Sequence, residues 1–232
     1  MTGVERKVVR DAEAVATLAA ELLAAHAGQG HHIALAGGST PKRAYRLATE
    51  RLEDWSRATL WLGDERLVPA DDERSNARMV SEQLLGALPE DRRPAFEAVR
   101  TDLPLEQAAS DYEVRLRGVL RDGAGLDLVL LGLGPDAHTA SLFPGKPAVR
   151  EAERWVAPVP EAGMEPQVPR VTLTLPVLEL AREVVFLVAG ADKAQALQRA
   201  FGDDPDPASP AAHVRPRTGR LLVLCDEAAA GA

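Results

Sequence analysis

Short apolar runs alternate along this chain with longer segments in which apolar residues recur at helical spacing. The runs at residues 4–9, 31–36, 58–62, 128–131, 154–159, 170–176, 183–189 and 221–224 predict strands, with a shorter one around 96–99. Between them, Asp11 is placed to cap a helix over 15–27 that Gly28 and Gly30 stop. Thr40 is placed to cap a second helix, with Pro41 in its first turn, reaching about residue 52. Ser75 precedes a third, carrying Met79, Val80, Leu84 and Leu85. The segment 104–121 sets Leu105, Ala108, Ala109, Tyr112, Leu116, Val119 and Leu120 on one face of a fourth. Further helices are expected over 193–200 and 227–232. Strands alternating with helices from end to end predict a three-layer α/β sandwich: a mainly parallel, Rossmann-like sheet with helices on both faces, in one domain over residues 1–232.

The run Leu128 to Leu131 is apolar at every position, as in a central strand buried on both faces. Gly132, Gly134 and Pro135 end it sharply and deliver Asp136 and His138 at its carboxyl end, where open α/β sheets bind ligands. Polar residues gather after other strands too: Gly37-Gly38-Ser39-Thr40, Gly63-Asp64-Glu65-Arg66, and Gly190-Ala191-Asp192-Lys193. If those strand ends share one edge, the loops converge on one pocket.

The formal net charge of -8 argues against a general affinity for nucleic acid or an anionic membrane, so an anionic ligand requires a local site. Gly37, Gly38, Ser39 and Thr40 form such a site if the second helix starts there, because its free N–H groups and dipole favour an anion. An ordinary capped helix explains the same residues, and they match neither the P-loop nor a dinucleotide fingerprint. Arg66 is a candidate clamp for phosphate or carboxylate, Asp64 a candidate acceptor for a sugar hydroxyl, and Lys193 a mobile point charge. The single cysteine, Cys225, reads as a small buried hydrophobe and excludes an internal disulfide. With no apolar leader and no run of membrane-spanning length, the expectation is a soluble, cytoplasmic protein.

Of the five histidines, His138 has the strongest claim to chemistry, as a general base near neutral pH. Asp136 either orients its imidazole or ties down the loop. His26, His31, His32 and His213 suit surface or filler roles.

At these residues the chain resembles the 6-phosphogluconolactonases of the pentose phosphate pathway. The resemblance rests on AGGSTP at 36–41, GDERLVPADDERSN at 63–76, LGLGPDAHTASLFPG at 131–145, PRVTLTLP at 169–176, AGADKA at 189–194 and the terminal DEAA at 226–229. That family usually reads Asp-Gly-His where this chain has Asp136-Ala137-His138, and an alanine argues against a tight left-handed turn at 137. The resemblance implies hydrolysis of 6-phospho-D-glucono-1,5-lactone without a metal or organic cofactor, with His138 and Asp136 as the catalytic pair. It implies a phosphate among Gly37, Gly38, Ser39, Thr40, Arg66 and Lys193, with Arg170 near the pocket. The partner is then a small phosphorylated sugar lactone, with no nucleic acid, membrane or obligate protein partner.

Two rivals remain at this point. Glucosamine-6-phosphate deaminases look similar but continue after the histidine with Ala-Phe-Asn-Glu-Pro, whereas this chain reads Thr139-Ala140-Ser141-Leu142-Phe143-Pro144 and lacks the extra carboxylate. A non-catalytic sugar-phosphate-binding module would normally carry a DNA-binding segment, for which the N-terminus leaves no room. A nicotinamide dehydrogenase is poorly supported, since Gly132-Leu133-Gly134 lacks the third glycine.

Overall fold

A computed structural model describes residues 3–120 and 124–231. Its strands are β1 (Val4–Val9), β2 (His32–Leu35), β3 (Thr59–Leu62), β4 (Asp64–Arg66), β5 (Ala95–Glu97), β6 (Leu128–Gly132), β7 (Val156–Val159), β8 (Arg170–Leu173), β9 (Glu183–Val188) and β10 (Arg220–Asp226). The helices are α1 (Ala12–Gly28), α2 (Ser39–Thr49), α3 (Asn76–Gln83), α4 (Leu105–Val119), α5 (Leu175–Leu178), α6 (Ala194–Phe201) and α7 (Glu227–Ala230). Of the expected helix over 104–121, Arg121 lies outside the described residues, as does Ala232 of the terminal one.

Seven strands form one sheet in the order β1-β10-β9-β6-β2-β3-β5, every neighbouring pair parallel. The all-apolar strand β6 is the middle one. Its side chains divide by parity, as a two-sided strand requires. Leu128 and Leu130 join Ile33, Leu60, Val185 and Leu222 in a core beneath α1, α2 and α3. Val129 and Leu131 join Trp61, Phe186 and Val223 in a core beneath α4, α6 and α7. Each buried leucine contributes roughly 1.5–3 kcal/mol relative to exposure, so a one-residue slip of β6 would exchange both cores at once. The three-layer α/β arrangement is the expected one.

One element departs from expectation. Residues 64–66 read as a polar loop, yet they form β4 in a second, antiparallel sheet of order β4-β8-β7. Gly63 is the bend: its N–H closes the main sheet on Leu35 O, and its carbonyl accepts Leu173 N–H from β8. The strand expected over 170–176 ends at Leu173, because Pro176 opens the short helix α5.

The site lies where the order of connections reverses. From β2 the chain winds outward through β3 to β5, then returns to β6 on the other side of β2 and winds through β9 to β10. Strands β2 and β6 pair only at Ile33 with Leu128 and Ala34 with Val129, while β6 stays paired with β9 as far as Gly132. Their carboxyl ends therefore splay and leave a crevice, the usual ligand position in this architecture. Splaying leaves the backbone of Ala36 without a ladder partner. Tyr45 takes both groups, its buried hydroxyl donating to Ala36 O at 2.7 Å and accepting Ala36 N–H at 2.9 Å.

Candidate active site

A cleft of about 250 Å³ opens at that crevice. Its floor is the end of β6, and its walls come from the loop after β2, from β4 and β8 of the second sheet, and from the segment joining β7 to β8. Gly37, Gly38, Asp64, Arg66, His138, Arg170 and Lys193 all line it. Ser39 and Thr40 do not; Ser39 faces an adjoining depression shared with Arg66 and Lys42.

The expected role of Thr40 as a helix cap is corrected by the structure. Helix α2 starts two residues earlier, with Gly38 at the cap position and no side-chain cap bond. The N–H groups of Ser39 and Thr40 then fall in its first turn, and Pro41 has none to offer. Gly37 is required for a separate reason: a Cβ there would stand 2.4 Å from Asn76 Oδ1.

The histidine loop is rigid. Gly134 and His138 are joined by a backbone bond at 2.9 Å, and Ala137 N–H returns to Gly134 O. Asp136 fills both roles left open by the sequence, and with one atom. Its Oδ1 accepts the backbone N–H of His138 at 3.1 Å and contacts the ring Nδ1 at 2.5 Å. With Nδ1 engaged, Nε2 is the nitrogen left for proton transfer. Phe143 backs the imidazole at 4.6 Å between ring centroids.

Ala137 does adopt the left-handed turn its side chain argues against, with φ of 64°. The loop bonds above, and the acceptance of Ala211 N–H by Ala137 O, hold it there at a cost of about 1 kcal/mol relative to glycine.

Burial pushes the Asp136 carboxyl up, but its hydrogen bonds from His138 and the charge of that ring outweigh burial and hold it below the usual carboxylate range. A carboxyl whose native value is depressed stabilises the fold fully above its unfolded value and loses that contribution as pH falls through the native one. Replacing Asp136 with Asn therefore flattens the acid limb of the stability curve, leaving neutral-pH stability lower and the fall below about pH 4 shallower. Urea midpoints measured from pH 7 to pH 3 check this.

Pairing of β4 with β8 sets Arg66 directly opposite Arg170, which sequence spacing does not reveal. Like charges at opposed strand positions repel unless something negative is present. Asp64 supplies part of it, 3.9 Å from Arg170. Burial pulls the Arg170 guanidinium down from its ordinary value, with Asp64 opposing and Arg66 adding to the effect. The Nε groups of both arginines are buried without a partner, so the pair retains donors for an anion.

Asp64 is less free than its sequence position suggested. Its carboxylate accepts the Ser141 hydroxyl at 2.6 Å and an Asn76 amide hydrogen at 3.3 Å. Ser141, Asn76 and Glu65 are structural members of the site to which the sequence assigned no role of their own. Fully buried Glu65 accepts the backbone N–H of Arg66, Asn76 and Ala77 and the Ser75 hydroxyl, clamping β4 to the start of α3. Burial pushes its carboxyl up, against those backbone donors.

Lys193 ends a single 3-10 turn, Ala191–Lys193. The turn is anchored by Asp226, whose carboxylate accepts Gly190 N–H at 3.0 Å. Its Nζ stands 3.3 Å from the exposed carboxylate of Asp192. The other histidines pair elsewhere: His26 with Glu183 and His31, His32 with Trp61, His213 with Pro207 O.

Residues 5–223 match the family model of the glucosamine-6-phosphate isomerases/6-phosphogluconolactonases. The chain belongs to this family. Among relatives, the 6-phosphogluconolactonase of Rattus norvegicus is 41% identical over 228 residues, covering 94% of this chain and 86% of its own. That of Synechocystis is 40% identical over 212 residues, covering 88% and 85%. The solved 6-phosphogluconolactonase of Trypanosoma cruzi superposes with a TM-score of 0.86 at 30% identity, covering 100% of this chain and 97% of that one. A monomeric glucosamine-6-phosphate deaminase superposes at 0.80 with 20% identity, a likeness of fold alone.

Among the described residues no group of three or more His, Cys, Asp or Glu side chains is gathered as a metal site. Nor is any helix among them long and apolar enough to cross a membrane.

Proposed function

We propose that this chain hydrolyses 6-phospho-D-glucono-1,5-lactone to 6-phosphogluconate, the lactone-opening step of the oxidative pentose phosphate pathway, with water activated by His138. The observation that carries the reading is His138, held by Asp136, facing one cleft with Arg66, Arg170 and Lys193, in a chain so closely related to 6-phosphogluconolactonases.

In this mechanism Nε2 of His138 takes a proton from water as its oxygen attacks the lactone carbonyl. Negative charge develops on the carbonyl oxygen and is offset by Arg170, whose Nε lacks a protein partner. Collapse breaks the bond from C1 to the ring oxygen, which receives the proton back from the imidazolium. Asp136 holds the tautomer and stabilises the charged ring between those steps. The phosphate lies against Arg66, Lys193 and the backbone of Gly37 and Gly38.

The amino-sugar alternative would need, besides Asp136, a second carboxylate beside the imidazole, from the segment after His138. In its place Thr139 donates to Gly132 O and Ser141 to Asp64, both holding the loop. The test is hydrolysis of freshly generated 6-phosphogluconolactone against its spontaneous opening, with glucosamine 6-phosphate in parallel. Opening well above background supports the lactonase; background opening with ammonia release from the amino sugar would assign the chain to the deaminases, and neither would leave a binding module.

A further inference from the structure

The segment joining β7 to β8 places an exposed carboxylate in the cleft lined by Arg66, Arg170 and Lys193. Glu165 is exposed and lines it beside Met164. Its place is fixed by the cleft itself: Arg170 Nη2 donates to Met164 O and to Pro166 O, each at 3.1 Å, gripping the backbone on both sides of Glu165. One carboxylate oxygen accepts Gln167 N–H at 3.0 Å, which turns the side chain back over its own loop. Asp64, the other acid in the cleft wall, is occupied by Ser141 and Asn76, so Glu165 is the lining acid left exposed to a ligand.

A carboxylate in a cleft that Arg66, Arg170 and Lys193 also line weakens the hold on any anion, which needs a reason in a site for a phosphorylated substrate. The chemistry supplies one, on the reading of the site as a lactonase. Hydrolysis replaces a neutral ester with a carboxylic acid that ionises, releasing a proton. Substrate and product carry the same phosphate, and the product adds one negative charge. Three cations suited to a phosphate would also hold that new carboxylate and slow its departure.

We propose that Glu165 discriminates product from substrate, its carboxylate repelling the newly formed carboxylate and promoting release of 6-phosphogluconate. Any repulsion of the phosphate is common to both ligands and cancels in their ratio. What remains is one pair of like charges several ångströms apart near the surface, an effect of about five-fold in affinity.

The test compares wild type, Glu165→Gln and Glu165→Asp in two measurements. Kinetics give the ratio of the product inhibition constant to KM for the lactone. Calorimetry gives the Kd of 6-phosphogluconate relative to glucose 6-phosphate, which has the phosphate and no carboxylate, and needs no turnover. The expected result is that both ratios fall about five-fold in Glu165→Gln and stay near wild type in Glu165→Asp. Ratios unchanged in Glu165→Gln overturn the proposal, including the case where both ligands tighten equally, and leave the lactonase reading standing. Failure of the wild type to open the lactone overturns that reading instead, and the calorimetric ratio still reports whether Glu165 senses the carboxylate.

Discussion

Replacing His138 with Ala lowers kcat for lactone opening by about 10²–10⁴-fold while the melting temperature falls by only a few degrees. The two effects separate because the side chain does little for the fold. Asp136 keeps the backbone N–H of residue 138 whatever the side chain, and the loop stays closed through Gly134 N–H and Ala137 N–H. What is lost is the ring contact to Asp136, the packing on Phe143 and the nitrogen facing the cleft. KM should move much less than kcat, since Arg66, Lys193 and the Gly37 loop stand on other elements. Initial rates corrected for spontaneous opening, with a thermal melt on the same sample, decide it. A variant that keeps more than a tenth of wild-type kcat would remove His138 from the role of general base.

How far such a site can be read from sequence depends on which forces build each part. Strand β6 was legible because burial on both faces writes an unbroken apolar run, and the glycines after it announce where the backbone turns. His138 stood out from the other four histidines by that position alone. The second sheet was not legible. Strand β4 is Asp-Glu-Arg, with no apolar alternation, and it is buried because β8 pairs with it from far along the chain. Its two carboxylates are satisfied by partners on α3 and in the histidine loop, as with Glu65 on Asn76 N–H and Asp64 on Ser141. The opposed arginines, the strongest sign of an anion site in the cleft, depend on that pairing and so were visible only as two separate residues. Ala137 shows the same limit on a smaller scale: local preference opposed a left-handed turn, and the closed loop imposed it.

The rigidity of that loop carries the other large effect. Substituting Gly134 with Ala is expected to lower kcat by about 10²-fold or more, with a smaller change in KM. Gly134 is not among the residues with positive φ, so its backbone conformation is open to alanine and no strain arises from the turn itself. The obstacle is His138: a Cβ at 134 would stand 2.0 Å from Nδ1 and 2.1 Å from Cε1. No side chain tolerates such a contact. The backbone cannot retreat, because Gly134 is bonded to His138 O on one side and to Ala137 N–H on the other. The ring must therefore swing away by about an ångström or more, breaking its contact with Asp136 and pointing Nε2 off line, a displacement of the size that costs two orders of magnitude. Gly118, on α4 and outside the cleft lining, is the control, since a Cβ there meets nothing within 4 Å. Gly118→Ala should retain activity within a few-fold. If Gly134→Ala does the same, the imidazole is not held where the Asp136 contact places it, and the proton-transfer geometry argued from that contact fails with it.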